Sequence, residues 1–264
     1  MEKYEIKEFP SSRQSTFDAG YIGMRKHHVK ALIELDVTHA RKAIRNLRYQ
    51  KKDISFNAWM IKCIGQAINE YKDIHAIRKG KNKLVIFDDV DVSIIVEKKV
   101  MNERVPLPVV IRKINKKTIE DIYNEIKLAK NQEVMSEKDY LLGENKFKWA
   151  MKIYVSLPQF IRVFIWKHII LKKPFLMKIM AGTAVITSVG TLGKVRGWAI
   201  PVSPLPVCFA LGSIVKKPGI FKERIEIREF LYMTILIDHD VIDGAPAARF
   251  VSRLAKLVET GYGL

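Results

Sequence analysis

The sequence predicts an α/β domain: a mixed β-sheet with helices packed on it. Three observations carry this. Apolar runs of strand length alternate, imperfectly, with amphipathic stretches of helical period. The 264 residues give ample chain for one sizeable core. The balance of 48% hydrophobic and 28% charged residues is that of an ordinary globular domain.

The elements follow in order. Residues 1–30 read as irregular and polar, with Pro10-Ser11-Ser12-Arg13 as a turn or helix start. Residues 29–37 alternate apolar and polar, with Val29, Ala31, Ile33, Leu35 and Val37 on one face, which is a strand pattern. A basic helix follows from His39 to about Gln50. Ser55 is placed to cap a second helix over 57–71, whose apolar side carries Trp59, Met60, Cys63, Ile64, Ala67 and Ile68. Residues 84–87, 90–96 and 105–111 read as strands, the last loosened by Pro106 and Pro108. Thr118 caps a helix over 119–130. Two further apolar strands, 183–190 and 205–215, flank a Gly-rich loop at 190–197. The strand within 225–237 leads to a last helix that begins at Gly244.

Residues 146–180 differ from the rest. Phe147, Trp149, Tyr154, Phe160, Phe164, Trp166 and Phe175 are mixed there with Lys148, Lys152, Arg162, Lys167, Lys172 and Lys173. Pro158 and the charges exclude a membrane-spanning helix, which needs about 20 mostly apolar residues. Three readings stand: helices packed on the domain or on a neighbouring subunit, a wall for an acyl-chain pocket, or an interfacial element touching lipid.

The formal net charge of +18 favours anionic partners: a phosphorylated cofactor, an acidic carrier protein, nucleic acid or an anionic membrane surface. Helix-turn-helix, zinc and RNA-binding signatures are missing from the sequence, so no nucleic-acid partner is expected. Cys63 and Cys208 both lie in apolar runs and read as core residues, with neither a disulfide framework nor metal-ligand spacing. No metal site is expected. The start, Met1-Glu2-Lys3-Tyr4-Glu5, lacks a signal-peptide pattern, which points to the cytoplasm.

The chemistry concentrates in His239-Asp240-Val241-Ile242-Asp243-Gly244, between an apolar run and an amphipathic one. Imidazole takes and returns a proton near neutrality, and a strand exit presents it to a substrate. The acid four residues on and the glycine after it favour a general base over a satisfied surface histidine.

The chain resembles the catalytic core of the dihydrolipoamide acyltransferases of 2-oxoacid dehydrogenase complexes, and more distantly chloramphenicol acetyltransferase. The signature is His-x-x-x-Asp-Gly, here His239, Asp243 and Gly244, continued by Ala245-Pro246-Ala247-Ala248-Arg249-Phe250. Collinear matches include Glu34-Leu35-Asp36-Val37-Thr38, Ile54-Ser55-Phe56-Asn57, Val90-Asp91-Val92-Ser93, Ile186-Thr187-Ser188-Val189-Gly190 and Pro204-Leu205-Pro206-Val207. The resemblance implies a single domain over 1–264 with a two-layer sandwich like that of chloramphenicol acetyltransferase. It also implies a stand-alone core without lipoyl or subunit-binding domains, and an atypical basic-aromatic insertion at about 146–180.

It further implies an acyltransferase that moves an acyl group from a thioester to a thiol, hydroxyl or amine. The donor is acyl-coenzyme A, an acyl carrier protein or a lipoyl domain acting in trans. His239 is then the base, and Thr187 the hydroxyl that steadies the oxyanion, with Ser188 as the alternative. Asp243 is expected to hold the loop by pairing with Arg13, or else Arg25. Gly244 lets the chain turn into the last helix. The implied assembly is a homotrimer in which His239 of one subunit meets Thr187 of the next. The competing reading is a non-catalytic trimeric scaffold of the same fold.

Overall fold

The computed structural model describes residues 3–6, 12–52, 54–100, 103–131, 153–154, 156–189 and 196–264. Helix α1 (Ser12–Gly23) leads into strand β1 (His28–Asp36), then α2 (Thr38–Tyr49) and α3 (Phe56–Glu70). A 3₁₀ turn (Lys72–His75) precedes the short strands β2 (Ile77–Lys79) and β3 (Lys83–Val85), then β4 (Val92–Val100), β5 (Glu103–Ile111) and α4 (Ile119–Asn131). Helices α5 (Gln159–Ile165) and α6 (Pro174–Ala181), joined through a π turn (Trp166–Ile170), lead to β6 (Ala184–Ser188), β7 (Val207–Phe221), β8 (Arg224–Asp238) and α7 (Gly244–Glu259).

Six strands form one mixed sheet in the order β1-β8-β7-β6-β4-β5, and β2 pairs with β3 in a separate ribbon. Strand β6 runs parallel to both neighbours, and the other pairings are antiparallel. Helices α2, α3, α4 and α7 cover one face. Leu35, Ile94, Ile186, Phe209, Met233 and Ile235 meet Trp59, Ile64, Ile122, Phe250 and Leu254 in a continuous core. The Trp59 indole donates to the Tyr262 carbonyl at 2.9 Å, which ties α3 to the C-terminal segment. Both expected caps form: Ser55 Oγ accepts from the Ala58 N–H and Thr118 Oγ1 from the Asp121 N–H. Cys63 and Cys208 are free and buried, and burial pushes the Cys208 thiol up to about 12.

Helix α1 opens at Ser12, within the stretch read as a turn or helix start, but it runs on to Gly23 where an irregular segment was expected, and the structure adds β2. Helix α1 has few apolar positions of its own. It is held by Asp18, buried, which receives the Arg162 guanidinium at 2.6 Å. Of the three readings of 146–180, the described part packs on its own domain. Ile170 and Met177 join Ile77, Phe87 and Leu205 in a second apolar cluster. Residues 146–152 and 155, the loop at 190–195, and Pro10-Ser11 lie outside the described residues. No helix among the described residues is long and apolar enough to cross a membrane.

Buried His75 sits where the 3₁₀ turn meets this second layer. Its Nε2 donates to the Phe87 carbonyl at 3.1 Å, so its Nδ1 accepts from the Thr183 hydroxyl at 2.8 Å. Burial holds the imidazole down at about 4, against 6.5 when exposed. The unfolded chain therefore binds the extra proton first as pH falls. Stability is expected to drop from about pH 6.5 down to about pH 4, by on the order of 3 kcal/mol. Urea melts of wild type and His75→Gln between pH 7 and pH 4.5 check this: the variant's stability should depend less steeply on pH.

Candidate active site

The β8 exit is fixed by the sheet. His28 pairs with Asp238 across β1–β8, and the Asp238 N–H donates to the Pro206 carbonyl at 2.8 Å. The chain then turns: the Val241 and Ile242 N–H groups both donate back to the Asp238 carbonyl, at 3.0 and 3.1 Å. His239 is exposed at the crest of this turn and anchored by its own N–H to the His27 carbonyl at 3.0 Å. Its ring is free of partners among the described residues, which leaves both nitrogens open to a substrate.

The carboxylate that organises this turn is Asp238, 1% exposed. One oxygen takes the Lys26 ammonium at 2.6 Å and the other accepts the Asp240 N–H at 3.2 Å. A second clasp joins the same two segments: His27 Nδ1 and Asp240 Oδ1 are 2.9 Å apart, and this bond raises the imidazole's pKa. His28, its pKa lowered by burial, bonds the Leu205 carbonyl through Nε2 at 3.0 Å. The Lys26-His27-His28 run thus grips the turn that carries His239 from the start of β1. Its signal in the sequence was three consecutive basic or imidazole residues ahead of a strand, opposite a lone acid that directly precedes His239.

The expected pair of Asp243 with Arg13 does not form within one chain. Asp243 is the N-cap residue of α7, exposed and without a side-chain cap bond, and Arg13 is exposed on α1. Arg25 instead lies over the Tyr21 ring, 4.1 Å from its centroid. Gly244 opens α7, with open space where a Cβ would stand.

Thr187 and Ser188 close β6. Its entry turns on Gly182, at φ +76°, where a Cβ would stand 2.6 Å from the Asp91 carbonyl oxygen. As expected of adjacent strand residues, the two side chains take opposite faces. Ser188 lines a cavity of about 190 Å³ with Arg41, Phe56, Asn57, Gly212 and Leu231. Thr187 is on the sheet face away from α3 and α7, half-buried, and its hydroxyl makes no hydrogen bond among the described residues. Trp198 overlies the same face, stacked 4.2 Å from Tyr232.

The register sets the separation of His239 and Thr187. Thr187 lies opposite Ala210, which lies opposite Thr234. His239 is five residues beyond Thr234 along β8 and two strands across from β6. At about 3.3 Å per residue and about 4.8 Å per strand, the two are roughly 19 Å apart and face opposite ends of the sheet. One chain alone does not bring them together.

The family model for the 2-oxoacid dehydrogenases acyltransferase catalytic domain matches residues 20–137 and 176–263. The chain belongs to this family. Among curated members of this acyltransferase family, the lipoamide acyltransferase component of the branched-chain alpha-keto acid dehydrogenase complex of Bacillus subtilis is 23% identical over 241 residues, covering 88% of this chain and 47% of that protein. The dihydrolipoyllysine-residue acetyltransferase component of the pyruvate dehydrogenase complex of Corynebacterium glutamicum is 35% identical over 83 residues, 30% of this chain and 12% of that one. The chain thus spans about half or less of the length of these relatives.

The acyltransferase fold is equally plain among solved structures. A probable dihydrolipoamide acetyltransferase from Listeria monocytogenes superposes with a TM-score of 0.71 at 18% identity, covering 98% of this chain and 95% of that one. A truncated catalytic core of the 2-oxoacid dehydrogenase multienzyme complex from Thermoplasma acidophilum gives 0.66 at 20% identity, covering 98% and 100%. The residues between the two matched stretches, 138–175, take in most of the basic-aromatic segment.

Proposed function

We propose that this chain transfers an acyl group from a thioester to a thiol, hydroxyl or amine, with His239 as general base and the Thr187 hydroxyl as oxyanion donor. The donor is a coenzyme A thioester, an acyl carrier protein or a lipoyl domain in trans. The supporting observation is the division of the site: an unencumbered imidazole at one end of the sheet and an unencumbered hydroxyl roughly 19 Å away at the other. Proton transfer needs contact at about 3 Å, so the two work together only if each completes a site on a neighbouring copy. A homotrimer with three such seams fits this reading, the His239 turn of one subunit reaching the β6 end of the next. The apolar groups left outside support an assembly. Leu32 (46% exposed) and Ile95 (44%) lie on the Thr187 face, and the β7–β8 arm exposes Ile220, Ile225 and Ile227.

In the reaction the neutral His239 imidazole removes the proton of the incoming thiol, hydroxyl or amine as it attacks the thioester carbonyl. The carbonyl oxygen takes the negative charge and accepts a hydrogen bond from Thr187. As the intermediate collapses, the imidazolium returns its proton to the departing thiolate, and the acyl group leaves on the acceptor. No acyl-enzyme forms. Residues 1–264 act as one catalytic domain, with the basic-aromatic segment as an insertion within it.

Thr187→Ala is expected to lower kcat by about 10²–10³-fold with little change in KM for the donor, because the hydrogen bond is made to the developing oxyanion. Ser188→Ala, which opens the cavity on the other face, is expected to keep most of the turnover. Steady-state transfer from an acyl-coenzyme A to dihydrolipoamide checks both. The reverse ranking would move the donor role to Ser188, wild-type kinetics in both variants would remove a side-chain hydroxyl from the oxyanion site, and no turnover by the wild type with any donor would favour the scaffold reading.

A further inference from the structure

Residues 156–181 form an element with two unlike faces. The inner face is locked. Arg162, 3% exposed, donates to Asp18 and Gln14 at 2.6 Å and to the Leu157 carbonyl at 2.6 Å. The Trp166 indole donates to the Tyr154 hydroxyl at 2.8 Å, and that hydroxyl donates to Asp18 at 3.0 Å. Val163, Ile170 and Met177 are buried behind this network. A cation buried against a carboxylate, with its other protons also bonded, holds α5 in one rotation about its axis.

That rotation turns a different set outward. Phe160 is 73% exposed, Phe164 58%, Phe175 61% and Ile179 53%. Phe160 and Phe164, one helical turn apart, share a stripe on the side of α5 away from Arg162. Phe175 and Ile179 repeat the same spacing on α6. Lys167, His168, Lys172 and Lys173 are exposed between the two stripes. No acidic residue occurs anywhere from Asn145 to Lys222, although the chain has 28 in all.

Large exposed apolar rings set among cations, on a segment that carries no acid of its own, fit one occupant best. Protein interfaces also use aromatic rings, but they deplete lysine, whereas an element lying on an anionic membrane is rich in it. This face offers phenylalanine and lysine, the composition of a helix lying in a bilayer interface: rings enter the acyl boundary and ammonium groups meet headgroup phosphates. Such an element lies in the plane of the membrane, so it does not need the length of a spanning helix.

We infer that the outward face of residues 156–181 is a docking surface for an anionic lipid bilayer, which would hold the acyltransferase at a membrane through Phe160, Phe164, Phe175, Lys167, Lys172 and Lys173. The test is flotation of the full chain with vesicles of phosphatidylcholine alone and of phosphatidylcholine mixed with phosphatidylglycerol, at physiological salt. Binding to the mixed vesicles is expected. It should weaken about tenfold or more in Phe160→Ser/Phe164→Ser and in Lys167→Gln/Lys172→Gln/Lys173→Gln. A control that removes the same charge elsewhere, Lys42→Gln/Lys51→Gln/Lys52→Gln, should bind as wild type does. All of these side chains are exposed, so the variants are expected to fold, and thermal melts check this. Three results would overturn the inference: no binding to either vesicle, full binding by the phenylalanine variant (attraction to the net charge alone), or a fall in its oligomeric mass, which would make the face a contact between copies.

Discussion

His239→Ala is expected to cost about 10²–10⁴-fold in acyl transfer while the protein keeps its fold and its thermal midpoint. The fold is insensitive for a structural reason. His239 is exposed, its ring contacts no other described residue, and its only anchor is the backbone bond from its N–H to the His27 carbonyl, which alanine retains. The activity is sensitive because no other free imidazole occupies that turn. His27 is engaged with Asp240 and His28 with the Leu205 carbonyl. Transfer from an acyl-coenzyme A to dihydrolipoamide, with circular-dichroism melts alongside, measures both halves. Equal rates for wild type and variant would remove the base from the account.

The second large effect belongs to a residue outside the signature. Lys26→Met leaves the Asp238 carboxylate, 1% exposed, without its cation; the lysine is itself 23% exposed, so the loss is expected to fall below the about 3–5 kcal/mol of a fully buried pair. The loss reaches function because the same carboxylate accepts the Asp240 N–H and so shapes the turn that carries His239. Lys26→Met is expected to lower both the melting temperature and kcat. Lys26→Arg, which keeps the charge, should restore most of each. In Lys26→Met/Asp238→Leu the orphaned charge is gone, so stability should return, yet kcat should stay low because the Asp240 N–H has lost its acceptor. A double variant that recovers full kcat would reduce the pair to a purely structural one.

What the sequence disclosed follows from how local each signal was. Strand β1, the Ser55 and Thr118 caps, and the passage from β8 through His239 into α7 were legible because period and cap chemistry lie within a dozen residues. The length of helix α1 beyond its start was not, because the residue that holds it, Asp18, finds its partner at Arg162, far along the chain. The Lys26–Asp238 clasp was hidden for the same reason: its members meet only once β1 pairs with β8. The resemblance supplied His239, Asp243 and Thr187, but no local pattern told which groups hold them. Asp243 illustrates the difference, since the resemblance pairs it with Arg13 or Arg25 and the single chain pairs it with neither. The opposite faces of Thr187 and Ser188 were legible from strand alternation. That Ser188 and not Thr187 lines the cavity required the coordinates.

The central claim is that each site takes its base from one copy and its oxyanion donor from the next. Mixing inactive variants tests it directly. His239→Ala and Thr187→Ala proteins are denatured together in equal amounts, refolded, and assayed for acyl transfer. Where neighbours assort at random, roughly a quarter of the seams join an intact His239 to an intact Thr187 from another copy, so about a quarter of wild-type activity should appear from two dead parents. If the mixture stays as inactive as its parents while forming the same oligomer, the two residues do not meet across a subunit seam, and the account is wrong.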